Sequence, residues 1–197
     1  MSRNDTVLLE ANLTELFEPI LLEVLDTHEF KISNHSYLYL LELLTSYGIR
    51  KHGESDKTEK QMLSERLLEA LGAQEKREKA KSLRSLAETS LIKVGFFSSS
   101  LKRKIVGVRY HIDIGVMAYS HLYSTTKEPA YEEASARFPD YADILSGVRE
   151  KLNLSKDSSS DIIGLFEWFS ETGSKTAKEK LIDQGVPITS SKKASNQ

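Results

Sequence analysis

Apolar residues in this chain recur at helical spacing from near one end to the other. Leu16, Phe17, Ile20, Leu21, Val24 and Leu25 repeat at i, i+3 and i+4, which predicts an amphipathic helix over 13–28. Pro19 falls inside that stretch and removes one backbone hydrogen bond, so the helix either kinks there or starts near Glu18. The run over 37–44 is apolar on nearly every side and predicts a deeply buried helix, capped by Asn34 or Ser36 and stopped by Gly48. A charged loop over 50–57 leads to a third helix, capped by Asp56 or Thr58, with Met62, Leu63, Leu67, Leu68 and Leu71 on its stripe and Gly72 at its end. A fourth helix over 75–91, able to continue through Gly95 to Phe97, turns Leu83, Leu86 and Leu91 inward. The Ser-rich basic stretch 98–104 reads as a loop.

The segment 106–116 carries two periodicities. Val106, Val108, Tyr110, Ile112, Ile114 and Val116 alternate with Gly107, Arg109, His111, Asp113 and Gly115, as in a half-buried strand. No other segment of the chain alternates, and a lone strand leaves its backbone groups unpaired. Wound as a helix, Val108, Ile112, Val116, Tyr119 and Tyr123 form one apolar face, with Tyr110, Ile114, Met117 and His121 beside it. The helix is therefore the reading, over 109–124 and buried at the centre of the fold. Further helices follow over 128–137, 138–152, 161–171 and 174–184, with a Ser-rich linker at 155–160. The expectation is an all-α fold: one compact domain of seven to nine helices over 13–185, with the second helix and the 109–124 helix at its centre. A flexible segment (1–12) precedes it and a disordered tail (186–197) follows.

Composition changes this picture little. The 197 residues are 39% hydrophobic and 28% charged, as in ordinary globular chains, and the sparse glycine (10) and proline (4) favour long helices. With no cysteine, disulfides, thiolate nucleophiles and Cys-based metal sites are excluded. The first residues lack the plan of a signal peptide and no apolar run reaches the roughly 20 residues of a membrane helix, so a cytoplasmic place is expected. The net charge of −2 hides an acidic region over 1–72 and a basic one over 76–109. That near-neutral total argues against general nucleic-acid affinity while leaving a local basic surface.

Two motifs of the central stretch, Ser90-Leu91-x-x-x-Gly95-Phe96-Phe97 and Tyr110-x-Ile112-x-x-Gly115-x-x-Ala118-Tyr119, resemble an uncharacterised family of small all-helical bacterial proteins. Phe166-x-Trp168-x-x-x-Thr172-Gly173-Ser174 is similar to a segment near that family's C-terminus, so the resemblance spans about 63–185. It implies a helical fold and no activity, because none is assigned to the family. His111 stands where a second tyrosine is expected, which alters any ligand site at that position.

Candidate chemistry is thin. The five histidines form no H-x-x-x-H, E-x-x-H or H-E-x-x-H spacing, so no metal or other cofactor is expected. His111 and Asp113 are two residues apart and point to opposite sides of a helix, which excludes a dyad. Gly173-Ser-Lys-Thr176 lacks the first glycine of a phosphate loop and follows no strand, so it reads as a helix stop and cap. Gly107, His111, Gly115 and Ala118 share one narrow side of the central helix. Small residues there let a second helix approach closely; if no helix fills the gap, they leave room for a ligand.

The reading that follows is a non-enzymatic, cytoplasmic binding or regulatory module acting through protein contacts, with a homodimer compatible. The alternative is a pocket for a phosphorylated small molecule around the central helix. It would be lined by Tyr110, His111 and Tyr119 and closed by Lys102, Arg103 and Arg109.

Overall fold

The computed structural model describes residues 3–53, 62–101, 107–152, 169 and 173–183. Among them there are eight α-helices and no strand: α1 (Arg3–Thr27), α2 (Asn34–Gly53), α3 (Leu63–Gly72), α4 (Lys76–Leu101), α5 (Val108–Thr126), α6 (Pro129–Ala136), α7 (Phe138–Lys151) and α8 (Lys175–Asp183). The all-α expectation holds, and the ambiguous 106–116 stretch is helical from Val108 on. The caps expected at Asp56 and Thr58, the linker at 155–160, the tail at 186–197 and, apart from Phe169 and Gly173's stop, the 161–171 helix lie outside the described residues.

The short turn between α1 and α2 folds them back on each other. Glu29 takes a left-handed backbone (φ 51°), while Phe30 N–H bonds the Leu25 carbonyl at 2.9 Å and Glu29 N–H bonds that of Asp26 at 3.2 Å. This six-to-one and five-to-two pairing is a Schellman end without its usual glycine. Ser33 then caps α2: its hydroxyl accepts from Ser36 N–H at 3.2 Å and its carbonyl from Tyr37 N–H at 2.9 Å. The sequence had pointed to Asn34 or Ser36, one or three residues too late.

Three other boundaries move for physical reasons. α1 starts at Arg3 rather than near 13 and carries Pro19 in its interior, where the lost hydrogen bond is tolerated on the exposed side. α2 passes through Gly48 instead of stopping there. A Cβ on Gly48 would sit 3.1 Å from Leu13, so this glycine serves the contact with α1. α4 runs to Leu101 with one break at Phe97 (φ −129°, ψ 22°), past the point where the basic loop was expected to begin.

The centre of the fold is α4. It packs most extensively on α5 and also on α7 and α3, while α5 packs on α6, and α1 on α2 and α7. α2, expected at the centre, lies toward the outside: Leu21, Leu40, Leu43 and Leu44 are fully buried between it and its neighbours, but Leu38 is 56% exposed. α7 is the most enclosed element, with Phe138, Tyr141, Ala142, Asp143, Ile144, Leu145, Gly147 and Val148 all buried.

Glycines admit α7 on three sides. A Cβ on Gly115 of α5 would lie 2.4 Å from the Phe138 ring, and one on Gly95 of α4 would lie 2.6 Å from Leu145 Cβ and 3.1 Å from the Ala142 carbonyl. Gly147 of α7 itself faces Val24 of α1, where a Cβ would come within 2.7 Å. Contacts this short force backbone shifts, because close-packed interiors have no slack to absorb a methyl group. Gly115→Ala and Gly95→Ala are each expected to cost about 1–3 kcal/mol of unfolding free energy in urea. Gly72→Ala, with open space around it, leaves the midpoint within error, and Phe138→Leu recovers part of the Gly115→Ala loss. Equal effects at Gly72 and Gly115 would refute the close-approach account.

Candidate functional site

Four of the six residues singled out in the sequence are described, and they have different surroundings. Arg109 stands on the outside of α5, 66% exposed, and its Nε pairs with Asp113 Oδ1 at 3.0 Å one turn on. Asp113 therefore faces away from His111, as the two-residue spacing requires. Tyr110 is half-buried and its hydroxyl accepts from Ser64 N–H at 2.8 Å. That bond satisfies one of the open donors at the start of α3, whose cap residue Met62 makes no side-chain bond. His111 is buried at the Tyr110 ring, edge to face with centroids 5.7 Å apart. Tyr119 lies two turns further along α5, about 12 Å along the axis at 1.5 Å per residue, so it cannot share a small ligand with His111 by direct contact. Lys102 and Arg103 lie outside the described residues. The narrow side of α5 that the sequence left open to a ligand is filled at Gly115 by Phe138.

Tyr119 belongs to an aromatic and ionic cluster that joins α2, α4, α5 and α6. Its hydroxyl and that of Tyr39 lie 2.6 Å apart, and both rings are fully enclosed. Tyr131 meets Tyr39 edge to face at 5.3 Å and stacks on Tyr119 at 6.3 Å. Arg84 of α4 donates from Nε to Glu88 at 2.7 Å and from Nη2 to Glu42 at 2.6 Å, and its guanidinium carbon sits 6.0 Å above the Tyr39 ring. Glu88 is buried, so its charge requires this partner. Burial drives the Tyr39 and Tyr119 hydroxyls well above the ordinary tyrosine value, with neighbouring Glu88 adding to it, and pushes Tyr131 up to about 12. Neutral phenols in a closed cluster hold helices together and offer no base to a substrate.

A second network ties the start of α2 to the α6–α7 corner. Glu133 accepts from Ser36 Oγ–H at 2.6 Å and from Ser33 N–H at 3.2 Å, so a carboxylate of α6 sits at the N-terminus of α2, where the helix dipole favours it. Arg137 donates to Glu133 at 3.0 Å, to Asp140 at 2.9 Å and to the Lys31 carbonyl. Asp143, which is buried, accepts from the Ser174 hydroxyl, whose Oγ lies 2.7 Å from each carboxylate oxygen, while Ser174 Oγ accepts from Ala177 N–H at 3.0 Å and caps α8. Gly173 (φ +69°) ends the preceding segment. The Gly-Ser-Lys-Thr stretch is thus a stop and a cap.

Among the surfaces of the described residues, the outer face of α1 carries two exposed leucines. Its inner face packs Phe17, Leu21 and Val24 into the core, yet Leu16 and Leu22 are 45% and 51% exposed. Glu15, Pro19, Leu22 and Asp26 are all exposed and follow a four–three–four spacing, which sets them within about 60° of arc on the helix. Leu16 and Glu23 border that line. Glu18 accepts from the Tyr37 hydroxyl at 3.2 Å and Glu23 from Lys151 at 2.6 Å, whereas Glu15 and Asp26 make no ion pair among the described residues. Pro19 has no N–H for the Glu15 carbonyl, so a backbone acceptor is released on the same line.

No described helix is long and apolar enough to cross a membrane. No group of three or more His, Asp or Glu among the described residues is placed to hold a metal ion. No protein-family model, curated protein or solved structure matches the chain.

Sequence reasoning missed Glu88, Glu133 and Asp143. The Arg84–Glu88 spacing of four was legible as a helical ion pair, but their packing against tyrosines from three other helices left no local signal. Two measurements test these networks. Tyr119→Phe strands the buried Tyr39 hydroxyl and is expected to cost about 1–3 kcal/mol, while the Tyr39→Phe/Tyr119→Phe pair costs less than the sum of the singles in a denaturation cycle. For Glu133, burial alone raises the carboxyl; the bonds from Ser36 and Ser33 and the Arg137 charge outweigh it and hold the group below the ordinary 4.5. Its stabilisation is therefore present above that ordinary value and lost as pH falls through the depressed one. The melting-temperature gap between wild type and Glu133→Gln is expected to be widest at neutral pH and to close in acid. A gap independent of pH would show that the charge on Glu133 plays no part.

Proposed function

We propose that this protein is a non-enzymatic helical module that works by binding another protein, with the outer face of α1 as its contact surface. The observation that carries the reading is the exposed line of Leu16, Pro19 and Leu22 on a helix whose opposite face is fully packed. Single exposed apolar side chains are ordinary on protein surfaces; three at i, i+3 and i+6 on one helix form a continuous strip of the kind that partners cover. The interior supports the same reading. Tyr39 with Tyr119, Arg84 with Glu88 and Glu42, and Glu133 with Ser36 and Arg137 pair inside the module, so these groups set its shape and leave recognition to its outside.

The test is native mass spectrometry of the full chain purified from its own source, beside a Leu16→Asp/Leu22→Asp variant. Both substitutions lie on the surface, so stability is expected to change by less than about 0.5 kcal/mol per site. Wild type is expected to carry a protein partner that the variant loses while its circular dichroism stays the same. Equal retention by both would remove α1 as the contact surface. A retained molecule of a few hundred daltons in place of a protein would replace this reading with the small-ligand one.

A further inference from the structure

We infer that the partner presents a basic amphipathic helix to α1, an inference that rests on the protein-binding reading above. The line Glu15–Pro19–Leu22–Asp26 is apolar in its middle and acidic at both ends. Its two terminal carboxylates are eleven residues apart, about 16 Å along the helix, and neither is neutralised by an ion pair among the described residues. Glu18 and Glu23 flank the line; Glu23 is neutralised by Lys151, while Glu18, bonded to the neutral Tyr37 hydroxyl, adds its charge to the line.

An apolar strip between uncompensated carboxylates repels an acidic partner and leaves charge unpaired under a neutral one. A helix with lysine or arginine at positions i and i+11 and leucine-like residues at i+4 and i+7 satisfies the whole line. Its apolar side covers Pro19 and Leu22, its cations meet Glu15 and Asp26, and a donor lies near the carbonyl that Pro19 leaves without its helical partner. The 4–3–4 spacing is that of a helix–helix seam, which favours a helical occupant over an extended one.

A second copy of this chain fits the line less well. Among the described residues two exposed helical surfaces could return cations: the start of α4, where Lys76, Arg77 and Lys81 surround Glu78 without an apolar strip, and α8, where Lys175 and Lys178 lie beside exposed Ile182 but whose nine residues are too few to reach both carboxylates. The complementarity therefore points to a different protein.

The probe is a synthetic helical peptide with Lys at i and i+11 and Leu at i+4 and i+7, titrated by fluorescence anisotropy against the full chain at low salt. A control peptide has Glu in place of both Lys. Wild type is expected to bind the basic peptide and not the acidic one, and binding is expected to weaken as salt rises. Glu15→Lys/Asp26→Lys, both at exposed positions, is expected to lose about tenfold or more for the basic peptide and to gain affinity for the acidic one. Leu22→Asp is expected to abolish binding of the basic peptide. No binding of the basic peptide, or equal binding by wild type and Glu15→Lys/Asp26→Lys, would overturn the inference. So would a dimer in sedimentation that Leu22→Asp dissolves, since the occupant would then be a second copy. If the peptide fails while Leu16→Asp/Leu22→Asp still strips a protein partner in native mass spectrometry, the basic helix is wrong and the protein-binding reading stands.

Discussion

The fold depends on how closely three other helices approach α7. Gly115 lets the Phe138 ring lie against the backbone of α5, Gly95 lets Leu145 and the Ala142 carbonyl press on α4, and Gly147 admits Val24 of α1. Each contact places a helix axis nearer than any side chain would allow, and each neighbour buries apolar surface because of it. Dispersion and burial both fall steeply with separation, so a gap of one methyl radius on any side would loosen the whole enclosure. Phe138, Tyr141, Ile144, Leu145 and Val148 are at 0% exposure because these three approaches hold together.

Around that enclosure, polar groups fix which helix meets which. Glu88 with Arg84, Glu133 with Ser33, Ser36 and Arg137, and Asp143 with Ser174 each seat a carboxylate where only one partner set satisfies it. Apolar packing tolerates small rotations and slides of one helix on another; a buried carboxylate with two or three short bonds does not. The Glu133 network closes the α2–α6 joint, and the Ser174 bond pins α8 to α7. These interactions contribute to uniqueness of the fold at least as much as to its stability.

The same division separates the interior from the working surface. Tyr110, His111 and Tyr119 attract attention in the sequence because polar aromatics on an apolar helix suggest a pocket. In the structure one completes the start of α3, one is buried at its neighbour's ring and one bonds Tyr39. On α1, by contrast, Leu16 and Leu22 stay exposed, with Glu15 and Asp26 on the same outer side.

The sequence by itself determined the helices. Periodicity of 3.6 placed all eight described elements, and it also decided the 106–116 stretch, because nothing else in the chain offered a strand to pair with it. Local chemistry foretold the Gly173 stop and the Ser174 cap as well, since both depend on residues within one turn. What it left undecided depends on atoms from other helices. Gly48 was read as a stop because a glycine's neighbour in space cannot be read from its neighbours in sequence. Ser33 became the α2 cap with help from Glu133, one hundred residues away. Of the candidate ligand residues on α5, Tyr110 turns to α3 and Tyr119 to α2, a division set by partners on other helices. Helix propensity and periodicity are properties of short windows. Close approach, buried charge and exposed face are properties of pairs of helices, and only the tertiary structure selects the pairs.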